Sequence, residues 1–211
     1  MTNKILNLIK SKYKLKPLDT GEFSKLKANG MTFNITAYHA EGLGHISVMT
    51  ASGFLGLMKM DTIIINPDET DLPLYSYDRI YAMGNDTLLV ELYDTMVTKM
   101  DFSPLETVKQ KYSDLPERDP GTHWYDSIRL PESISKKDKK KQSGKLDSFA
   151  LDHFEKYLSL PAPKLVSPEE KKKKSDYYVN GLLTNGGPST DVFIKKLGKE
   201  KTEKLFKTVL F

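Results

Sequence analysis

The first half of this chain contains a series of strand-like segments joined by short polar connections. Each segment alternates apolar and polar residues or is rich in β-branched residues, as is typical of strands. They occupy residues 31–40, 44–52 and 56–66, with two more strands in Asp71–Asp94 that meet at Gly84-Asn85-Asp86. Because connections this short cannot hold a crossover helix, the sequence predicts an antiparallel meander. Residues 95–102 are either a sixth strand or the end of the fifth.

Helical spacing of apolar residues appears on both sides of the meander. Two segments, residues 3–13 and 145–160, each place four large residues on one helical face: Ile5, Leu8, Ile9 and Tyr13 in the first, and Leu151, Phe154, Tyr157 and Leu158 in the second. A last helix begins at Ser189 or Thr190 and is interrupted at Gly198. We therefore expect one α+β domain over residues 1–211, in which helices pack on an antiparallel sheet.

The composition excludes several classes of protein. The absence of cysteine among 211 residues excludes disulfides, thiolate zinc sites and cysteine nucleophiles. No apolar run approaches the ~20 residues needed to span a bilayer, and the first residues lack the pattern of a secretory signal. The 29 lysines against 3 arginines argue against sequence-specific nucleic-acid recognition, which favours arginine. We therefore expect a cytoplasmic monomer with no membrane or nucleic-acid partner.

Two lysine clusters, Lys136–Lys141 and Lys171–Lys174, allow two interpretations. They are either solvated linkers or a docking surface for an acidic partner, whose association a positive surface would accelerate. Local motifs add little. Nucleotide-binding glycine loops and a GxSxG nucleophile elbow are absent from the sequence, and no two of the four histidines have metal-ligand spacing. No bound metal is therefore predicted.

The most unusual residue of the predicted sheet is Asp78. Strict alternation places it on the same face as Leu74, Ile80 and Ala82, a face that should turn inward. Asp61 interrupts the preceding strand in the same way, and the two carboxyls could share one face of adjacent strands. A buried carboxylate is unfavourable unless it is paired, hydrogen-bonded or protonated. Asp78 is therefore either a paired or solvent-facing residue, or an acid with a raised pKa that donates a proton to a ligand.

Four segments, in order, resemble the ferredoxin-dependent bilin reductases, and the plant red chlorophyll catabolite reductases are similar. They are "DLPLYSYDRIYAMGN" (71–85), "LPERDPGTHWYDSIRLPE" (115–132), "FALDHFEKYLSL" (149–160) and "VFIKKLGKEKTEKLFKTVLF" (192–211). The resemblance, which covers roughly residues 30–211, implies a three-layer α/β/α sandwich with a central antiparallel sheet. It also implies that a linear tetrapyrrole binds between the sheet and the C-terminal helices. No bound cofactor or metal is implied, since reduced ferredoxin supplies electrons singly and side chains supply protons.

The resemblance also assigns site residues. Asp78 falls on the family's proton-donating aspartate, and Asp61 stands where many members have His or Asn, as a second donor or a hydrogen-bond partner. Met49 replaces a glutamate of one branch, and Asn185 replaces a second acidic residue, so neither can donate a proton. Lys201 replaces a tryptophan of the terminal helix. The candidate substrate-binding residues are Met49, Tyr77, Arg79, Asn185 and Arg129.

These departures imply a divergent member of the family with altered regiospecificity, or a tetrapyrrole-binding protein that has lost the reaction. With the resemblance set aside, a lysine-rich interaction module remains. The glycine-rich segment Asn180–Thr190 has two interpretations, a simple turn between helices or a lid over the pocket. In either case Pro188 would fix the entry to the last helix.

Overall fold

A computed structural model describes residues 1–139, 143–187 and 189–211. Its centre is an antiparallel sheet to which eight strands of the described residues contribute. The strands are β1 (Leu15–Leu18), β2 (Lys25–Ala28), β3 (Met31–Ala40), β4 (Gly44–Gly53), β5 (Met58–Pro67), β6 (Leu74–Ala82), β7 (Asn85–Tyr93) and β8 (Ile134–Lys139).

The order of the strands confirms the predicted meander. Strands β3 to β7 are neighbours in chain order, β8 pairs with β7 at one edge, and β1 and β2 both pair with β3 at the other. Every pairing is antiparallel. The turn between β6 and β7 is centred on Met83-Gly84, slightly before the predicted position.

Helices cover both faces of the sheet. The first face carries α1 (Thr2–Lys12), α2 (Ser103–Lys111) and α3 (Ser143–Tyr157), and we call it the α1–α3 face. The second carries α4 (Pro168–Asn185), α5 (Thr190–Leu197) and α6 (Lys199–Leu205), which runs on into a π-turn at Phe206–Leu210, and we call it the α4–α6 face. Each face has its own cluster of buried apolar side chains. The protein is thus an α/β/α sandwich, as predicted.

The hydrophobic pattern of the strands explains this layering. Tyr75 and Tyr77 of β6 are fully buried against the α1–α3 layer, whereas Leu74 of the same strand packs with the α4–α6 layer. Successive side chains of a strand point to opposite faces. Both faces of the sheet are therefore apolar, and each must be covered by helices.

Two segments of the chain differ from the sequence-based expectations. Residues 95–102 contain no strand. The first lysine cluster is not a linker, since Lys136–Lys139 belong to β8 and the Lys136 Nζ donates to the Leu115 carbonyl at 2.9 Å. Lys140, Lys141 and Pro188 lie outside the described residues.

The second lysine cluster lies in α4, and its first member is not a surface residue. Lys171 is only 1% exposed. Its Nζ donates to the carbonyl of Leu72 and, at 3.2 Å, to the hydroxyl of Thr95, and lies 3.9 Å from Asp71. The prediction that all of Lys171–Lys174 form a docking surface is therefore wrong for Lys171, because this residue anchors α4 to the sheet.

Candidate functional site

A cavity of ≈ 450 Å³ lies between the α4–α6 face of the sheet and the C-terminal part of the chain. Its volume falls in the usual range of small-molecule sites. The sheet contributes Met49, Met60, Thr62, Ile64, Ser76, Asp78, Ile80, Leu89, Glu91 and Tyr93, and the helical layer contributes Tyr178, Leu182, Phe206, Leu210 and Phe211. The connection between β7 and β8 completes the cavity with Arg118, His123, Tyr125, Asp126 and Arg129, among others.

The register of the sheet places Asp78 in the middle of the cavity floor. Met49, Thr62, Asp78 and Leu89 form one row of directly paired residues on strands β4 to β7. The Thr62 hydroxyl donates a hydrogen bond of 2.5 Å to Asp78 Oδ1. Asp78 is half-buried, and its face of the strand is the one predicted from alternation.

The environment of Asp78 makes it a weaker acid than an ordinary aspartic acid. Burial raises its pKa to about 6, the hydrogen bond from Thr62 opposes this shift, and the negative charge of Glu91 adds to it. Near neutral pH a minor fraction of the group therefore keeps its proton, so the carboxyl can both hold and release a proton.

A second carboxyl of the cavity, Glu91, is held in a different environment. Its Oε1 accepts a hydrogen bond of 3.2 Å from Arg129 Nη1, and its Oε2 accepts one of 2.8 Å from the hydroxyl of Tyr93. Arg129 Nη2 lies 3.0 Å from Asp126 Oδ1. Arg129 thus lies between two acidic side chains at the cavity wall.

Aromatic side chains of the sheet and of the helical layer line one side of the cavity: Tyr93 of β7 and Tyr178 of α4. The rings of Tyr93 and Tyr178 lie 4.0 Å apart, and Trp124 packs near Tyr178 at 6.0 Å. Burial raises the pKa of the Tyr178 hydroxyl well above 10, so this phenol stays neutral. A stack of neutral rings beside a carboxyl offers flat apolar surface for a conjugated ligand.

Gly181 positions Trp124. The glycine lies in α4, where an added Cβ would come within 2.1 Å of the indole ring. The indole Nε1 donates to the Gly186 carbonyl at 3.0 Å, which ties the β7–β8 connection to the end of α4. Residues Asn180–Asn185 belong to α4. The glycine-rich connection is therefore shorter than predicted and begins after Asn185.

The prediction that Asp61 shares a face with Asp78 is wrong. In the β5–β6 register Asp61 pairs with Arg79, while Thr62 pairs with Asp78. Asp61 therefore points to the α1–α3 face, where burial raises its pKa. The register is offset by one residue from the one that the sequence suggested, and a one-residue offset reverses the face of every side chain.

Tyr77 and Arg79, predicted to bind substrate, also lie on the α1–α3 face, outside the cavity. Arg79 is fully buried and its Nε and Nη2 donate to both oxygens of Asp86 at 2.5 and 2.7 Å. Its role is to neutralise a buried carboxylate under α3. Asn185 is exposed at the end of α4 and does not line the cavity. Of the five predicted binding residues, the cavity contains Met49 and Arg129.

Sequence reasoning missed Thr62, Glu91, Tyr93 and Tyr178. Glu91 could have been predicted from the sequence, because alternation along β7 places it on one face with Leu89 and Tyr93. Thr62 was missed because the predicted register of β5 was incorrect. Tyr178 was missed because it belongs to α4, a lysine-rich helix that the sequence did not predict.

Outside the cavity, His39, Asp68 and Glu69 bring one ligand atom each to within 4.8 Å of one another. His39 Nε2 and Glu69 Oε1 lie 2.8 Å apart. Both carboxylates are exposed, and exposed acidic side chains commonly lie together without a metal, so the cluster is not assigned as a metal site.

Together these features define an α/β/α sandwich with a small-molecule cavity between its antiparallel sheet and its C-terminal layer. The crystal structure of selenomethionine phytochromobilin synthase from tomato, in complex with biliverdin, has the same fold. The TM-score is 0.79 at 13% sequence identity, and the match covers 98% of this chain and 79% of that chain. No family model matches the chain, and no curated protein matches it. The likeness confirms, at the level of the fold, the resemblance to bilin reductases inferred from the sequence.

Proposed function

We propose that this protein is a ferredoxin-dependent reductase of a linear tetrapyrrole and a divergent member of the bilin reductases. The observation that carries the proposal is Asp78, a carboxyl with a pKa of about 6 on the floor of a ≈ 450 Å³ cavity with an aromatic wall. Such a group suits a reaction that needs a proton donor near neutral pH.

In the proposed reaction, one double bond of the tetrapyrrole gains two electrons and two protons. Reduced ferredoxin supplies the electrons one at a time, so that a ligand radical forms between the two transfers. Protonated Asp78 transfers one proton to the ligand radical, and the resulting carboxylate accepts the hydrogen bond of Thr62. This bond favours the charged form of Asp78 and so stabilises the state that follows proton transfer. The second proton comes from solvent, through reprotonated Asp78 or another group of the cavity.

The other polar groups of the cavity would orient the ligand. Two arginines of the cavity, Arg118 and Arg129, would meet an acidic substituent, and Arg129 is also engaged with Glu91 and Asp126. Glu91 can accept hydrogen bonds from pyrrole N–H groups. The rings of Tyr93 and Tyr178 would stack on the conjugated system.

A second function is supported by a specific feature of the row that contains Asp78. Its neighbours Met49 and Leu89 cannot donate a proton, and Thr62 is a very weak acid. A protein with this floor could bind a tetrapyrrole through Asp78 without reducing it. This non-catalytic function predicts the same ligand and no turnover.

Absorption spectroscopy separates the two functions. Purified protein is titrated with biliverdin, and the visible spectrum is recorded before and after anaerobic addition of reduced ferredoxin. A shifted spectrum that then bleaches or moves supports the reductase, and a shifted spectrum that is stable supports the binding protein. If biliverdin leaves the spectrum unchanged, the proposed ligand is wrong.

The matched variants are Asp78→Asn and Asp61→Asn. Asp78→Asn should retain the spectral shift of bound ligand and lose most turnover, by roughly 100-fold or more, because an amide cannot give up a proton. Asp61→Asn makes the same chemical change on the opposite face of the sheet and should leave turnover nearly unchanged. Equal losses in both variants would show that the effect is structural, and unchanged turnover in Asp78→Asn would remove this residue from the mechanism.

A further inference from the structure

One end of the sheet exposes several large apolar side chains close together. Leu55 and Met83 are 104% and 93% exposed, Leu57 is 73% exposed and Phe54 is 54% exposed. The first two belong to different hairpins, the β4–β5 turn and the β6–β7 turn. Gly53 pairs with Met58 and Met58 with Ala82, so both turns project from the same end of the sheet. We call these four residues the apolar tips.

The backbone at the apolar tips is unfavourable for the residues that it carries. Phe54, Leu55 and Met83 have φ values of 51°, 56° and 51°. A positive φ is uncommon for bulky residues, and Asn or Gly normally occupies such positions in hairpin turns. The protein thus accepts two unfavourable features at one place, backbone strain and the exposure of apolar surface to water.

A third hairpin at the same end provides an internal comparison. The β2–β3 turn consists of Asn29 and Gly30, at φ values of 48° and 73°, which is the usual choice for such a turn. Met31, directly after this turn, pairs with Gly53, directly before the β4–β5 turn. The geometry of this end of the sheet therefore does not explain why the other two turns carry apolar residues at positive φ. Backbone strain that is retained without such a requirement points to a function.

The charge around the apolar tips is positive. Three exposed lysines lie in the rows of the sheet nearest the turns: Lys27 on β2, Lys59 on β5 and Lys139 on β8. Asp138 is half-buried, and its Oδ1 accepts the backbone N–H of Lys139 at 2.6 Å. Asp86, in the same row as Asp138, is fully buried and paired with Arg79. Among the described residues, the exposed charges beside the turns are thus mainly cationic.

We propose that the apolar tips insert into the interface of an anionic lipid bilayer, with the neighbouring lysines against its headgroups. Projecting aliphatic side chains fit the boundary between headgroups and acyl chains, where no complementary cavity is needed. Lysines set back from the tips would add attraction to anionic lipid that decreases with salt.

This inference revises the sequence-based expectation of no membrane partner. No helix among the described residues has the length and hydropathy to cross a membrane. Insertion of hairpin tips would be a peripheral contact with the membrane, which the hydropathy of helices does not reveal. The inference stands independently of the proposed reductase function.

Vesicle flotation tests the proposal with the full chain. Vesicles of phosphatidylcholine alone are compared with vesicles in which about a third of the lipid is phosphatidylglycerol. We expect binding to the anionic vesicles, weakened by salt, and a loss of at least about tenfold in partitioning for Leu55→Ser combined with Leu57→Ser, because burial of a leucine side chain contributes about a tenfold factor. Val166→Ser is the matched control, since Val166 is 72% exposed in the segment after α3 and lies outside the hairpins.

A second measurement reports insertion directly. The chain has no cysteine, so Leu55→Cys and Val166→Cys each provide one site for an environment-sensitive dye. The dye at residue 55 should shift to the blue with anionic vesicles, and the dye at residue 166 should not. The proposal is overturned by no vesicle binding of the unmodified protein, by equal losses in the serine variants of both sites, or by binding that is lost in Lys59→Gln but not in the leucine variants. Self-association that is abolished by the leucine substitutions, without vesicle binding, would also overturn it.

Discussion

Replacement of Asp78 by asparagine should stabilise the protein, and the gain should depend on pH. The pKa of Asp78 is about 6 in the folded protein against an ordinary value of 3.8. The folded state therefore binds the proton more tightly than the unfolded state. This contribution to stability is fully present below pH 3.8, and it is lost as pH rises from about 4 to about 6.

The size of the effect follows from the shift. A difference of about two pKa units corresponds to about 3 kcal/mol between acidic and neutral pH. The amide introduced by Asp78→Asn does not ionise, so this variant should be up to about 3 kcal/mol more stable than the unmodified protein at pH 7. Below about pH 4 the difference in the free energy of unfolding between the two proteins should no longer change with pH. A carboxyl group retained at such an expense in stability is typical of functional sites.

Urea unfolding at pH 4, 5, 6 and 7 measures the difference between the two proteins. Glu155→Gln, which changes an exposed carboxyl on α3, is the control and should show a difference within about 0.5 kcal/mol at every pH. A difference between Asp78→Asn and the unmodified protein that stays constant from pH 4 to 7 would refute the reasoning. It would mean that Asp78 titrates alike in the folded and unfolded states.

Three further predictions concern the helical layer and the docking partner. Lys171→Glu should lower the free energy of unfolding by about 3–5 kcal/mol in urea titrations, because it buries an anion near Asp71. The control Lys173→Glu, on the exposed side of α4, should change the free energy of unfolding by less than about 0.5 kcal/mol. Gly181→Ala should lower stability by about 1–3 kcal/mol and alter the fluorescence of the single tryptophan, because a methyl group collides with its ring, whereas Gly144→Ala meets open space and should be neutral or slightly stabilising. Under the proposed function, reduction by ferredoxin should slow steeply between low and physiological ionic strength in stopped-flow assays, while biliverdin affinity stays nearly constant.

The sheet was predictable because its strands are long and their turns are short. Alternation along β6 assigned Asp78 to the face of Leu74 and Ile80, and the structure has this arrangement. Alternation within one strand does not determine how that strand pairs with the next. The connection from β5 to β6 spans residues 68–73, long enough to allow more than one register, and the sequence could not show that Thr62 rather than Asp61 pairs with Asp78.

The two lysine-rich elements, β8 and α4, were not predicted from the sequence. Lys136 in β8 and Lys171 in α4 occupy buried positions because their long stems carry the ammonium groups to backbone carbonyls. A pattern analysis counts each of these lysines as solvent-exposed. Tyr178, which follows Lys171 by two helical turns on the same side of α4, was missed for this reason, and with it the wall of the cavity.

The register of β5 also determines how many protons the cavity itself can provide. Under the proposed reaction each double bond consumes two protons, yet Asp61 lies on the opposite face and Met49 has none to give. The phenols of Tyr93 and Tyr178 have pKa values raised far above 10 by burial, so they are poor donors. Glu91 is engaged by Arg129 and by the Tyr93 hydroxyl. Either Asp78 would then act twice and regain a proton from solvent between the two electron transfers, or His123, which also lines the cavity, would supply the second proton. A pKa of about 6 suits a cycle through Asp78, because a stronger acid would not be reprotonated near neutral pH and a weaker one would release its proton too slowly.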